Sequence, residues 1–176
     1  MGSKTATIYN IVKYGDAILE TPTEPVTEFG TDELRDLVES MFETMYAAKG
    51  LGLAAPQIAL SKRLVVIDHS AGQDPAARIV LINPEILSKE GKQVGEEGCL
   101  SLPGFHEDVS RAMKVRVRAQ DVDGKVFERD AEELLARAMQ HEIDHLDGIL
   151  FISHLSMLKR DLIKRKIRKL AKANEW

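Results

Sequence analysis

The chain has 176 residues, 44% hydrophobic and 30% charged, with a net charge of -4 and a single cysteine. That balance fits one soluble globular domain, read as 1–176, and no apolar run approaches the ~20 residues that span a bilayer, so no membrane partner is expected. A lone cysteine makes no internal disulfide, which leaves the cytoplasm as the default address and the thiol free, reactive or metal-bound.

The opening "MGSKTATIYN" lacks the apolar stretch of a secretory leader. Residues 31–49 place Leu34, Leu37, Val38, Met41, Phe42, Met45 and Tyr46 at helical spacing, with Thr31 as the N-cap and Gly50 as the stop. "GLGLAAPQI" is too rich in glycine and small residues for a stable helix. The runs "RLVVIDH" and "RIVLINPEIL" read as strands on either side of a loop, "SAGQDPAA". Residues 113–120 alternate with period two, and Asp123-Gly124 reads as a hairpin turn into "KVFER". A second helix starts from Asp130 as N-cap, carries Glu132 and Glu133 in its first turn, and stops at Gly148. A third, from about Ser153 to Ala173, places Leu155, Leu158, Leu162, Ile163, Ile167 and Leu170 on one side.

At about 100° per residue, Leu134, Ala138, His141 and His145 share a narrow arc of the second helix. Leu135, Met139, Glu142 and Leu146 lie beside it, while Glu133, Arg137, Gln140, Asp144 and Asp147 lie opposite. Histidines at i and i+4 aim their nitrogens at a common point, the spacing that lets both bind one metal ion. Glu142, next to the first of them, reaches a metal-activated water as a base. An accident of a charged helix would leave the glutamate on a solvated face, and this one is on a largely apolar side. The extended zinc-protease pattern fails, because the residue three after Gly148 is Phe151. A downstream glutamate is also lacking, since only Asp161 and Glu175 follow Asp147. The third ligand is therefore sought upstream, among His69, His106 and Cys99, of which a thiolate is the strongest donor for a borderline metal.

Three segments together, "GLGLAAPQ" (50–57), "EGCLSLP" (97–103) and "QHEIDHLDG" (140–148), resemble the three signature motifs of the peptide deformylases, in the same order and with similar separations. "IVKYGDAILETPTEPV" extends the resemblance over most of the chain, with Gly15 where many relatives have proline. The resemblance implies an α+β fold in which antiparallel sheets surround the histidine helix, with an amphipathic C-terminal helix. It implies a metal held by Cys99, His141 and His145, Glu142 as the proton shuttle, and Gln57 with the Leu100 backbone N–H as donors to the oxyanion. It implies removal of the formyl group from N-formylmethionine on newly made polypeptides. Gly50 and Gly52 would let a substrate strand approach, Leu51, Leu100, Leu134 and Ala138 would hold its methionine, and Glu97 paired with Arg111 would order the cysteine loop. Two imidazoles and a thiolate suit zinc by ligand type. The resemblance favours Fe2+, with Zn2+, Ni2+ or Co2+ as replacements, and a ferrous centre beside Cys99 would be oxygen-sensitive.

From Leu155 to Trp176 eight Lys or Arg face only Asp161 and Glu175, so the rest of the chain carries the negative charge. Such a tail is either the solvated side of an amphipathic helix or an electrostatic contact with the ribosome, where the substrate emerges. No DNA partner is expected. Two rival readings are an HExxH metallopeptidase acting on internal peptide bonds and a zinc-stabilised binding module. The second would close the fourth ligand position and leave Glu142 without a task.

Overall fold

Thr31 starts the first helix as its residue type predicts: its hydroxyl accepts a hydrogen bond from the Leu34 N–H at 3.1 Å, and α1 runs Asp32–Ala47. The computed structural model describes residues 5–176, so the first four residues of the opening read for a leader lie outside the described residues. The left-handed residue ending α1 is Lys49, at φ 59°, one before the expected Gly50. Gly15 has φ 111°, a conformation closed to proline, so the turn around it depends on glycine.

Among the described residues there follow β1 (Gly52–Ala54), β2 (Leu64–Ile67), β3 (Ile79–Glu90), β4 (Gln93–Gly98), β5 (His106–Arg111), β6 (Lys114–Gln120) and β7 (Val126–Glu132). All pair antiparallel, as a five-stranded sheet in the order β1-β2-β3-β6-β7 and a separate β4-β5 hairpin. α2 (Glu133–Leu146) and α3 (Met157–Lys172) complete the α+β architecture. No helix is long and apolar enough to cross a membrane, among the described residues.

β2 reads as one continuous apolar run because both its faces are covered. Val65 and Ile67 join Leu81, Val117, Met139, Ile143 and Leu146 in a core against α2, while Leu64 and Val66 join Val38, Met41, Phe42 and Met45 in a core against α1. The sheet thus presses α2 from one side, and the β4-β5 hairpin supplies much of the other. A third core, holding Leu102, Val109, Phe151, Ile163 and Ile167, lies beneath the cysteine loop, with Cys99, Phe105 and Trp176 packed against it. β2 pairs with β3 only from Ile79 to Ile82, and Asn83 N–H still reaches Arg63 O at 2.8 Å, so the stretch from Glu85 to Glu90 pairs with β6 on one edge and, among the described residues, has no strand on the other.

Two expectations are corrected, for Asp130 and for the start of the last helix, and two features go beyond what the sequence indicates. Asp130 does not cap α2; it belongs to β7, opposite Arg116, whose guanidinium approaches its carboxylate at 3.6 Å. The strand continues through Glu132, and the helix begins at Glu133, whose φ of 55° makes the corner. The hairpin carrying the cysteine motif was not foreseen, because "QVGEEG" is short of the β-branched residues that announce a strand. Arg137 and Gln140, on the arc opposite the histidines, are buried, since that hairpin covers their side of the helix: Arg137 Nη1 donates to Val109 O at 2.9 Å and Gln140 Nε2 to Ala112 O at 3.0 Å. The last helix starts later than Ser153, after a 3-10 turn at Phe151–His154, with Ser156 as N-cap. Only Ile163 and Ile167 of its apolar side are buried, whereas Leu158 and Leu162 are exposed.

Candidate metal centre

His141 and His145 lie one turn apart on α2 with ring centroids 5.0 Å apart. The hairpin brings Cys99 to them from the end of β4, with Sγ 3.4 Å from His145 Nε2. One ligand atom from each of the three falls within 4.8 Å of the other two, and this is the group of described residues able to hold an ion. His69 and His106, the other upstream candidates, are exposed and stand outside it. A thiolate and two imidazoles are a borderline donor set suited to a divalent transition ion. Burial drives the His145 pKa well below its ordinary value, so the ring is neutral and its lone pair available. Among the described residues two buried side-chain atoms have no hydrogen-bond partner, Glu142 Oε2 and His145 Nδ1. The Glu142 oxygen, unpaired beside three converging donors, fits an acceptor for water held at that point, while Nε2 is the His145 nitrogen that faces Cys99.

Behind these three side chains sits an ion-pair network. Glu97 takes Arg111 in two bonds of 2.9 Å, Arg137 through Nη1, and His141 Nδ1 at 2.8 Å. His141 is thereby turned so that Nε2 is the atom left to ligate. Burial would raise the Glu97 pKa, but its bonds to Arg111 and His141 hold the carboxyl far below the ordinary range. For the His141 ring, burial opposes charge, yet contacts with Cys99 and Glu97 push its pKa up to about 10. A proton there occupies the charge slot that a bound cation would take. Arg111 also donates to Asp144 at 2.6 Å, and His154 Nε2 lies 2.8 Å from the same carboxylate oxygen. Arg137, Asp144 and His154 were not singled out from the sequence. Only an acidic residue in need of neutralisation, Glu97, hinted at Arg137.

Cys99 and His141 open on a cavity of about 500 Å3 lined also by Gly50, Leu51, Gly52, Gln57, Glu97, Leu100, Leu134, Ala138 and Glu142. His145, fully buried, lies behind it. Leu51 and Leu134 are exposed at its rim, and Ala138 lies deeper. Burial pushes the Glu142 carboxyl up to about 7, against the opposing charge of His141. Gln57 is oriented by its own backbone neighbourhood: its Oε1 accepts from Ala54 N–H at 3.0 Å, which turns Nε2 toward Ser101 Oγ at 3.2 Å and Cys99 Sγ at 3.6 Å. The two glycines have distinct steric reasons. A Cβ on Gly50 would lie 2.7 Å from Leu100 Cδ1, and one on Gly52 would lie 2.6 Å from Glu142 Oε1.

Donors for one ion on the wall of an apolar cavity, a carboxyl titrating near neutrality and an amide turned inward suit water attacking a carbonyl, the chemistry of metal-dependent hydrolases. The polypeptide deformylase family model matches residues 8–161. The peptide deformylase of Acidobacterium capsulatum is 64% identical over 166 residues, covering 94% of this chain and 97% of that one. A crystal structure of the Legionella pneumophila peptide deformylase superposes with a TM-score of 0.87 at 46% identity, covering 96% and 98% of the two chains, and that of Plasmodium falciparum with 0.86 at 36%, covering 93% and 95%. The chain belongs to the peptide deformylase family, metal-dependent hydrolases that remove the N-terminal formyl group from newly made polypeptides. The reading as a general metallopeptidase is thereby set aside.

Proposed function

We propose that deformylation by this chain, read as a single domain of residues 1–176, uses Cys99, His141 and His145 as metal ligands, Glu142 as proton shuttle, and Gln57 Nε2 with the Leu100 N–H as oxyanion donors. The observation that carries the reading is that Cys99, His141, Glu142 and Gln57 border the same cavity. A divalent ion held there supplies a Lewis acid that acidifies water and withdraws charge from the formyl oxygen. Glu142, with a carboxyl near 7, takes a proton from the attacking water and returns it to the departing amine. Gln57, fixed through Oε1 by the Ala54 N–H, holds Nε2 beside Cys99 at the cavity wall, and the N–H that now meets Cys99 Sγ at 3.6 Å is the one that would turn to the developing negative charge. Leu100, Leu134 and Ala138 offer apolar surface to the methionine side chain, Leu51 closes the rim, and Gly50 and Gly52 leave backbone accessible to the substrate chain. Glu97 borders the cavity and, held by Arg111 and Arg137, orients His141.

The ion is Fe2+ in this reading, with Zn2+, Ni2+ or Co2+ as functional replacements, and anaerobic purification with metal analysis tests it. The protein works in the cytoplasm, and the basic face of α3 meets ribosomal RNA. That contact predicts salt-sensitive cosedimentation with ribosomes that is lost on truncation after Leu158, and undiminished sedimentation of the truncated chain refutes it. The central test is formate release from formyl-Met-Ala-Ser. Glu142→Ala keeps metal and fold but loses turnover, whereas Cys99→Ser loses metal. Unchanged turnover by Glu142→Ala would falsify the shuttle role.

A further inference from the structure

The loop from Cys99 to Phe105 carries a proposed ligand and a proposed oxyanion donor, yet it lies between β4 and β5 outside any strand ladder. Its internal bonds are two turns, Leu102 N–H to Cys99 O at 2.9 Å and Phe105 N–H to Leu102 O at 3.2 Å. Much of its placement therefore comes from outside the hairpin. Tyr14 N–H donates to Ser101 O at 2.8 Å, and two residues earlier Val12 N–H donates to Gln57 O at 2.9 Å, so one short segment holds the backbones of both motifs. That segment is in turn held by Trp176, the single tryptophan of the chain. The indole Nε1–H donates to Tyr14 O at 2.8 Å, and the ring stands edge-to-face against Phe105 with centroids 5.9 Å apart. Lys13 Nζ lies 5.9 Å from the centroid of the same ring. Trp176 and Cys99 pack against one apolar cluster, whose member Phe151 stacks on the His141 ring at 6.3 Å.

We propose that Trp176 is a positioning residue for the metal centre: through Tyr14 and Phe105 it clasps the Cys99 loop and fixes the thiolate and the Leu100 N–H against α2. The inference rests on Cys99 being a ligand. An indole suits the task, since it spans the groove between two segments with one rigid ring, giving an N–H to the first and an aromatic edge to the second. Losing the clasp leaves the turn bonds intact and lets the loop pivot about Gly98, so the metal-site geometry loosens while the apolar cavity is kept. The expected signature is a fall in kcat with little change in KM.

The test compares the 176-residue wild type, Trp176→Ala and Trp176→Phe, each loaded to stoichiometry with Co2+. Thiolate-to-cobalt and ligand-field absorption, kcat and KM for formyl-Met-Ala-Ser, and thermal midpoint by circular dichroism are read on each. Trp176→Ala is expected to shift or weaken the cobalt bands and to lower kcat roughly 3- to 10-fold, less than the 10- to 100-fold typical of a group bonded directly to a ligand, with KM within about twofold. Trp176→Phe keeps the contact with Phe105 but loses the N–H bond, and falls between the two; it also serves if the alanine variant does not fold. Cobalt spectra and kcat equal to wild type, with only a lowered thermal midpoint, overturn the proposal and leave Trp176 a packing residue. A wild type that binds cobalt without any thiolate band overturns the ligand reading of Cys99 itself, and this inference with it.

Discussion

Gly52→Ala adds a single methyl group at the place where it does most harm to Glu142. Its Cβ would stand 2.6 Å from Glu142 Oε1 and 2.9 Å from both Cδ and Cγ, whereas unstrained heavy-atom contacts lie near 3.5 Å. Relief requires the carboxylate to withdraw by roughly 1 Å. The space exists, because the side chain borders a cavity of about 500 Å3. Stability is therefore nearly unaffected, since replacing glycine where φ is not positive also removes about 0.4–1 kcal/mol of freedom from the unfolded chain. Catalysis is affected, because a 1 Å misplacement of a catalytic group costs on the order of 10²-fold, or about 2.7 kcal/mol of barrier. Steady-state formate release at saturating and subsaturating formyl-Met-Ala-Ser reads both constants, alongside metal content and thermal midpoint. The expected variant is metal-replete and as stable as wild type, with kcat down about 100-fold. A kcat within about threefold of wild type would refute the reasoning, because it would mean that the position of Glu142 tolerates a displacement of this size.

Arg111→Ala removes the two-bond partner of a buried carboxylate and a donor to Asp144; thermal unfolding should show a loss of about 3–5 kcal/mol, and purified protein should hold less metal, so wild-type values in both would discredit the network. Gly148→Ala forces a side chain onto φ 75° with its Cβ 2.7 Å from the Glu20 backbone carbon, and a loss of at least about 2 kcal/mol is expected in denaturant titrations, with kcat retained in whatever protein folds. Asp68 is buried, which alone would raise its pKa, but bonds from Ser70, Tyr46 and the Gly72 N–H outweigh burial and hold it low. A carboxyl lowered on folding stabilises the protein above its unfolded pKa, about 4, and that contribution fades as pH falls through the folded value. Asp68→Asn should hence cost about 1–3 kcal/mol at pH 7, with the gap to wild type narrowing below pH 4; a gap that widens in acid contradicts the assignment.

The histidine helix was legible because its period of 3.6 and its ligand spacing are properties of a single segment. β2 was legible as a strand through its apolar run, and Thr31 and Gly148 through the backbone needs of helix ends. What escaped notice depended on partners far along the chain. Asp130 has an N-cap's residue type, but its pairing opposite Arg116 in β7 extends the strand past it. The sequence places Arg137 and Gln140 opposite the histidines but does not show the hairpin some 30–40 residues upstream that covers them, or that Glu97 claims the guanidinium. Gly50 was read as a helix stop, yet Lys49 takes the left-handed turn, and the glycine is needed for the Leu100 side chain. Leu158 and Leu162 keep helical spacing with the buried isoleucines but face solvent, since the helix contacts its core along a narrower stripe than its apolar arc.

The unpaired edge of β3 bears on how the protein behaves when concentrated. Past Asn83, whose N–H is taken by Arg63 O at 2.8 Å, a row of backbone groups with no strand partner among the described residues is a template on which a second copy could add its own strand, and four features of that stretch oppose this. Pro84 has no N–H to give, and Glu85 and Lys89 place charges along the exposed margin. Register shifts between Ile82 and Glu85 and between Ile86 and Ser88 bend the strand away from the flat geometry that stacking requires. The turn of chain that looks least regular in the sheet is thus what protects a newly folded molecule from cross-seeding its neighbours, and replacing Pro84, Glu85 and Lys89 together by valine or threonine would convert that margin into a site of fibrillar association.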